Sequence, residues 1–180
     1  MLLPWGETTI LAHEVTVWKS LGAIQVAVVI ACDDAAIEDE LDRSNFLREN
    51  RIINPDPSRG MFSSIQCAAL WSHWNDALTH FALVLGDQPH LQTATLRSLI
   101  EFCARNPGEV CQPMFQGIAR HPVLLPRAIF GKLATTTDAT LRDFLHSLAG
   151  SIARVELDDP GLGLDIDRPE DYEQALRLSR

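Results

Sequence analysis

The chain has 180 residues, 46% of them hydrophobic and 22% charged, which is typical of one globular domain with a substantial core. Its net charge of −9 argues against a nucleic-acid partner, because such a partner requires a clustered basic surface. The longest apolar stretch, residues 23–31, is too short to span a bilayer, so we expect no membrane partner.

Predicted strands and helices alternate along the chain. The predicted strands cover residues 24–30, 51–55, 81–85, 110–115, 122–125 and 152–157. A first helix contains Leu11, Val15 and Trp18 and ends at Gly22, and further helices are predicted over residues 35–49, 61–79, 93–105, 127–133, 139–149 and 169–178. This alternation predicts an α/β fold with three layers and a mostly parallel sheet. No repeat or linker interrupts it, so we expect a single domain over residues 1–180.

The four cysteines show neither CxxC spacing nor the pattern of a disulfide framework. We interpret them as free thiols without an assigned role, in a protein of the reducing cytoplasm.

The stretch FALVLGDQPHL, residues 81–91, combines a buried strand with an abrupt turn. Asp87 falls just beyond the carboxyl end of that strand, which is where open α/β sheets bind their ligands. Its carboxylate is a suitable ligand for a hard cation such as Mg²⁺. Asp87 would equally suit a helix cap for the segment that begins near Thr93.

A second acidic segment is LDIDRPED, residues 164–171. Asp165 and Asp167 are two residues apart, so in extended backbone their side chains point to the same side. Asp167 is interpreted either as the N-cap of the helix that starts at Pro169 or as a second carboxylate that faces the same cation as Asp87.

The stretch Gly60–Ser64 joins a glycine-containing loop to a predicted helix start. Free backbone N–H groups and the hydroxyls of Ser63 and Ser64 could hold an anion there. The alternative is an ordinary serine N-cap.

His121 stands in the segment Arg120-His121-Pro122, where it either contacts a substrate or satisfies a buried turn. The other five histidines form no HxH or HExxH spacing, so we expect no zinc site.

Five motifs in order carry a resemblance that covers essentially the whole chain: LLPWG at 2–6, NPDPSRGMFSSI at 54–65, VLGDQPHL at 84–91, RHPVLL at 120–125 and LDIDRPED at 164–171. The chain resembles the MobA-like nucleotidyltransferases, most closely their molybdenum-cofactor cytidylyltransferase branch. The resemblance implies a Rossmann-like α/β/α fold of the nucleotide-diphospho-sugar-transferase type. It also implies transfer of a nucleoside monophosphate, CMP favoured, from an NTP to a molybdopterin-type cofactor, with release of pyrophosphate.

The resemblance also implies roles for individual residues. Asp87 and Asp167 correspond to catalytic, Mg²⁺-binding carboxylates, with Asp165 beside them as a third metal ligand. The substrate-binding positions correspond to Gly60, Ser63, Ser64, Gly86, Gln88 and His121. The implied partners are an NTP (CTP favoured, GTP the alternative), the molybdopterin-type cofactor, and a molybdoenzyme or its chaperone downstream.

Two departures from the family pattern affect these expectations. The first strand and the glycine-rich loop LAAGxSxRMGxxK, which usually precede LLPWG, are missing, so the fold is expected to lack its usual first strand. Either the start codon lies upstream, or the chain is a non-catalytic relative that binds a cofactor or acts as an accessory protein. Arg120 stands where the family usually has glycine. A nucleotidyltransferase for another phosphorylated small molecule is a further alternative.

Overall fold

The computed structural model describes residues 1–148 and 150–179. Its strands are β1 Pro4–Trp5, β2 Thr8–Thr9, β3 Val28–Ala31, β4 Arg51–Asn54, β5 His80–Leu83, β6 Val110–Phe115, β7 Ile118–Ala119, β8 Val123–Pro126 and β9 Ile152–Glu156. Its α-helices are α1 Ile10–Ser20, α2 Ala35–Arg43, α3 Met61–Leu70, α4 Thr93–Arg105, α5 Arg127–Phe130, α6 Leu141–Ser147 and α7 Pro169–Leu178.

The larger sheet has five strands. Its order is β5-β8-β6-β7, and β9 pairs with the other side of β6. Strand β8 runs antiparallel to both β5 and β6, whereas β9 runs parallel to β6 over its whole length. The predicted α/β class is confirmed, but the pairing is more mixed than the mostly parallel sheet that was expected, because β8 reverses direction between its two neighbours.

Strands β3 and β4 form a separate parallel pair, with Val28 opposite Arg51 and Ala31 opposite Asn54. Among the pairings of the described residues, β3 bonds only to β4 and β5 bonds only to β8. Each of these two strands therefore has one free edge, as expected of a sheet that lacks a central strand.

Several predicted elements are shorter in the structure. The helix predicted over residues 61–79 ends at Leu70, because Trp71 takes an extended conformation and the following loop is fixed by other contacts. The indole N–H of Trp74 donates to the Ala68 carbonyl at 2.8 Å, and Arg127 donates to the carbonyls of Asn75, Asp76 and Leu78. The helix predicted over residues 35–49 ends at Arg43, and only the last part of the 24–30 segment is paired as a strand. The helix predicted over residues 139–149 covers 141–147, and Ala149 lies outside the described residues.

The main core lies between the larger sheet and the helices α3, α5 and α6. Its aromatic centre is formed by Phe81 and Phe130, whose rings stack with centroids 4.0 Å apart. Trp74 packs edge-on against Phe81 at 5.0 Å. Close-packed aromatic rings of this kind hold the start of β5 firmly in place. The turn that follows β5 therefore begins from a strand that the core holds in place.

The amino-terminal segment is held against α7. The Trp5 ring is buried and packs against the ring of Tyr172, with centroids 6.1 Å apart, and the Tyr172 hydroxyl donates to the Pro4 carbonyl. This contact keeps the LLPWG motif next to the acidic segment that precedes α7. In the described part of the chain, none of the helices is long and apolar enough to cross a membrane.

Candidate active site

The two acidic segments lie side by side. Strand β5 ends at Leu83, and the chain turns at Gly86 and Asp87. The backbone carbonyl of Asp87 accepts a hydrogen bond from the Ile166 N–H at 3.2 Å. Asp87 therefore lies directly opposite the stretch that carries Asp165 and Asp167, although these residues are almost eighty positions away in sequence.

The side chain of Gln88 makes further contacts between the two acidic segments. Its side chain is 3% exposed, and its Nε2 donates to Asp165 Oδ1 at 2.8 Å and to the Leu164 carbonyl at 3.4 Å. A buried amide held by two acceptors fixes the position of the carboxylate that it contacts. Gln88 was predicted to contact substrate, and the structure places its amide against Asp165.

The electrostatic environment of Asp87 is unusual for a carboxylate. Burial raises the pKa of Asp87, and the neighbouring charges of Asp165 and Asp167 raise this pKa further. Its Oδ1 atom is buried and has no hydrogen-bond partner. Within residues 1–148 and 150–179, no lysine, arginine or histidine forms an ion pair with any of these three carboxylates. The site therefore concentrates negative charge, and the amino terminus of Met1, which lowers the pKa of Asp87, does not outweigh the effects that raise it.

These residues suit a hard divalent cation. Mg²⁺ prefers carboxylate oxygens and usually takes one or two of them, completing its coordination with water and substrate phosphates. In the described chain, no group of three or more histidine, cysteine, aspartate or glutamate side chains is arranged so that it could hold a metal ion. The unpartnered Oδ1 of Asp87, beside Asp167, fits a site in which the protein supplies one or two carboxylates. Water and phosphate oxygens would supply the remaining ligands of such a site.

Neither Asp87 nor Asp167 caps a helix. Asp159 takes that role for α4, since its Oδ2 accepts from the Gln92 N–H at 3.2 Å and from the Thr95 hydroxyl at 2.7 Å. At the start of α7, Asp171 Oδ2 accepts from the Arg168 N–H at 2.8 Å. With other acceptors at both helix starts, the carboxylates of Asp87 and Asp167 are free for a ligand.

The Gly60–Ser64 stretch enters α3 without a side-chain cap. Gly60 has φ +82°, which favours glycine, and the helix starts directly after it. Ser63 is 3% exposed, and its hydroxyl donates to the Gly60 carbonyl at 2.7 Å. The Asn54 side chain donates to the hydroxyls of Ser63 and Ser64, at 2.8 and 3.0 Å. The serine N-cap alternative is therefore wrong for this helix, and both hydroxyls are positioned by Asn54.

His121 lies between the end of β5 and the acidic segments. Its Nδ1 is 3.4 Å from the Leu83 carbonyl. Burial lowers the pKa of His121 from its usual value of 6.5, while Leu83, Asp165 and Asp87 act in the opposite direction. Because the net shift is downward, the imidazole is neutral at pH 7 and can accept or donate one hydrogen bond.

A cavity of about 640 Å³ lies between β3 and β5 and brings part of the predicted site together. We call it the central slot and define it by residues 25–29 on one side and 77–86 on the other. Ser64, Gly86 and His121 line it, whereas Gly60, Ser63, Gln88 and the three acidic residues are not among its lining residues. Three of the predicted residues therefore lie on the slot, whereas Asp87, Asp165 and Asp167, which we call the acidic rim, lie outside its lining.

Comparison with known proteins identifies the family of this chain. Residues 1–153 match the sequence model of the MobA-like NTP transferase domain. The chain belongs to the MobA-like NTP transferase family. A curated relative, the molybdenum cofactor cytidylyltransferase of Escherichia coli strain K12, is 28% identical over 175 residues, which span 96% of this chain and 84% of that protein.

Solved structures agree with this assignment. Rv0371c from Mycobacterium tuberculosis H37Rv superposes with a TM-score of 0.76 at 25% identity, covering 98% of this chain and 87% of that one. A complex of the same mycobacterial protein with manganese gives a TM-score of 0.72 at 25% identity, with 98% and 90% coverage. The predicted fold and family of this MobA-like chain are confirmed.

Sequence reasoning missed three polar residues of this family member, two of them buried and one partly buried. Asn54 and Asp159 are each 2% exposed and hold the Gly60–Ser64 stretch and the start of α4. Glu14 lines the central slot from α1, and burial raises its pKa to about 8. Glu14 could have been found, because it stands three residues after Leu11 and four before Trp18, on the face of α1 that points inward.

Proposed function

We propose that this chain is an Mg²⁺-dependent nucleotidyltransferase that moves CMP from CTP to a molybdopterin-type cofactor. The observation that carries the proposal is the buried, unpartnered Oδ1 of Asp87 beside Asp165 and Asp167, on the rim where an α/β sheet binds ligands. Family membership supports the reaction class. The curated cytidylyltransferase supports CTP over GTP, and its name supports the molybdenum cofactor as acceptor.

The reaction is a substitution at phosphorus. An oxygen of the acceptor's phosphate attacks the α-phosphorus of CTP, a new P–O bond forms there, and the bond to the β-phosphate breaks to release pyrophosphate. The protein contributes little covalent chemistry to such a step. Its task is to hold both phosphates in line and to balance the charge that develops on their oxygens.

Asp87 and Asp167 would hold the cation, and Asp165, whose Oδ1 accepts from Gln88, would add negative charge beside them. When bound, Mg²⁺ supplies neutralisation of the phosphate charge. Gln88 keeps Asp165 in place, and the Asp87–Ile166 backbone bond keeps the two acidic segments at a fixed separation. These contacts position the carboxylates before any ligand arrives, which lowers the cost of ordering them on binding.

The acceptor would lie on the slot side of the rim. His121 is neutral at pH 7, so it can orient an acceptor oxygen without attracting the triphosphate. Ser64 and the uncapped start of α3 after Gly60 offer donors to an anionic group. The product would pass to a molybdoenzyme or to its chaperone.

The test is release of pyrophosphate. The protein is incubated with Mg²⁺, a molybdopterin-type cofactor and each of the four NTPs in turn, and omission of the acceptor serves as the control. We expect release with CTP above the other NTPs and only in the presence of the acceptor. Release with a different phosphorylated acceptor would reassign the substrate, and absence of release with every NTP and acceptor would overturn the proposal.

A further inference from the structure

Arg120 lies in the short connection between β7 and β8, and its backbone is anchored to β6. Its N–H donates to the Pro113 carbonyl at 2.8 Å, and its carbonyl accepts from Gln112 Nε2 at 3.3 Å. Gln112 is 8% exposed, so this second contact comes from a buried side chain. Two contacts with one strand fix the point from which the Arg120 side chain leaves the sheet.

The Arg120 side chain lies at the same edge of the sheet as the acidic rim. Strands β5 and β6 run in the same direction, because each pairs antiparallel with β8. Their carboxyl ends therefore meet at one edge, where α/β sheets bind ligands. Nη2 of Arg120 lies 3.8 Å from the position that a Cβ on Gly163 would take, and Gly163 is two residues before Asp165. The guanidinium therefore lies beside the segment that leads into the rim.

The guanidinium of Arg120 is partly buried and has no carboxylate partner. Within residues 1–148 and 150–179, it takes part in none of the ion pairs, and its Nε is buried without a hydrogen-bond partner. Arg51 and Arg127, the other partly buried arginines of this part of the chain, both form ion pairs. Burying part of a charged group without a partner is unfavourable, so we expect a ligand to supply the partner.

The neighbouring segment leaves the guanidinium open to such a ligand. Asp165 Oδ1 accepts from Gln88 at 2.8 Å, and Gly163 has no side chain that could cover Nη2 of Arg120. A guanidinium keeps its charge in proteins and presents five N–H donors in a planar fork. This fork matches two oxygens of one phosphate group, which it binds more tightly than a neutral donor would.

We propose that Arg120 is a specificity-determining residue that binds the phosphate group of the acceptor. Arg120 directly precedes His121, so the acceptor would extend from the slot past His121 to the guanidinium. The fork would hold phosphate oxygens that do not attack, which keeps the attacking oxygen in line with the α-phosphorus of CTP. This inference rests on the proposed function for the identity of the acceptor, whereas the phosphate contact itself can be measured without any reaction.

The first experiment measures initial rates of pyrophosphate release with the molybdopterin-type cofactor as the varied substrate. For Arg120→Gln we expect the KM of the acceptor to rise at least about ten-fold, the effect of a lost charge-assisted contact, and the KM of CTP to stay within about two-fold. Arg120→Lys keeps the charge without the fork and should recover part of the affinity. Arg97→Gln removes the same charge from an exposed position of α4 and should behave as the parent.

The second experiment needs no nucleotide. In ¹⁵N-labelled protein, the Nε–H signal of Arg120 is identified by its absence from the spectrum of Arg120→Gln, and burial of this atom slows its exchange with water. Inorganic phosphate is the probe, and sodium chloride at the same ionic strength is the control. We expect the signal to shift and saturate with phosphate and to stay in place with chloride.

The two experiments separate this inference from the proposed function. Absence of pyrophosphate release in the parent would overturn the function, and the phosphate titration would still decide for Arg120. An Nε–H signal that does not respond to phosphate, or that responds equally to chloride, would overturn the inference. So would an unchanged KM of the acceptor in Arg120→Gln, or a rise confined to the KM of CTP, which would assign the guanidinium to the triphosphate.

Discussion

The Nε2 atom of Gln88 lies 2.8 Å from Oδ1 of Asp165 and joins two loops that are 77 residues apart in sequence. Asp87 directly precedes Gln88 in the chain, and Asp165 accepts the hydrogen bond from the Gln88 amide. Both aspartates belong to the acidic rim. This hydrogen bond therefore fixes the distance between the two acidic segments within the folded chain.

Replacing Gln88 with leucine should loosen the rim. Leucine has a similar volume but no donor, so Asp165 Oδ1 and the Leu164 carbonyl lose their partner. We expect the free energy of unfolding in urea to fall by about 1–2 kcal/mol. Pyrophosphate release should fall several-fold as well. Gln174→Leu, on an exposed position of α7, is the matched control and should change neither quantity.

Replacing Asp87 with asparagine should separate activity from stability. The variant removes a charge that burial, Asp165 and Asp167 all disfavour, so at pH 7 we expect unchanged or slightly higher stability. Pyrophosphate release should fall on the order of 100-fold, because cation binding contributes several kcal/mol to such reactions.

Calorimetric titration with Mn²⁺ gives a second measurement for Asp87→Asn, and we expect clearly weaker binding than in the parent. Asp158→Asn, at an exposed position, should behave as the parent in both assays. Full activity and full Mn²⁺ affinity in the Asp87→Asn variant would remove Asp87 from the metal site.

Glu14 should make the protein less stable as the pH rises. The folded state keeps the Glu14 proton up to about pH 8, whereas the unfolded chain releases it near 4.5. Between these values the folded state binds more protons, so the free energy of unfolding falls with increasing pH. Asp87 contributes in the same direction, because its pKa is also raised.

Urea unfolding at several pH values between 5 and 8 measures this effect. We expect Glu14→Gln to reduce the loss of stability across this range by about 2 kcal/mol or more, at about 1.4 kcal/mol per unit of pKa shift. Glu101→Gln, at an exposed position of α4, should keep the slope of the parent. An unchanged slope in Glu14→Gln would show that the carboxyl is ionised in the folded protein.

Asp159 should be important for stability and not for cation binding. Its carboxylate accepts from the Gln92 N–H, the Thr95 hydroxyl and the Gly161 N–H, and it is 2% exposed. Asp159→Ala leaves the buried Gly161 N–H and two partly buried donors without an acceptor, so we expect a loss of about 2–3 kcal/mol in unfolding free energy. Below the thermal transition, Mn²⁺ affinity should be close to that of the parent. A loss of affinity without a loss of stability would contradict this division of roles.

Much of the fold followed from local sequence signals. Helix α4, strand β6 and helix α7 have the predicted bounds, because each combines a clear apolar period with Gly, Pro or polar residues at its ends. The end of α3 could not be predicted, since it depends on Trp74 and Arg127 binding carbonyls that are distant in sequence. The antiparallel direction of β8 could not be predicted either, because strand direction is set by tertiary pairing.

The candidate site shows the same limit. The residue types and order around Asp87 and Asp167 identified the acidic rim, and the structure brings these segments together. The sequence could not distinguish a residue that faces a ligand from one that holds its neighbour. Gln88 and Ser63 were predicted on the ligand side, yet both side chains are buried and hydrogen-bonded within the protein. That distinction depends on burial, which a single sequence does not record.

The position of Met1 has a practical consequence for recombinant work. Its side chain stands where a Cβ on Gly86 would lie, at the mouth of the central slot. An affinity tag, or the few residues left after its cleavage, would begin within reach of both strand edges and of Asp87. Such residues would crowd the acidic rim and the slot beside it, and a carboxyl-terminal tag avoids adding residues at this position.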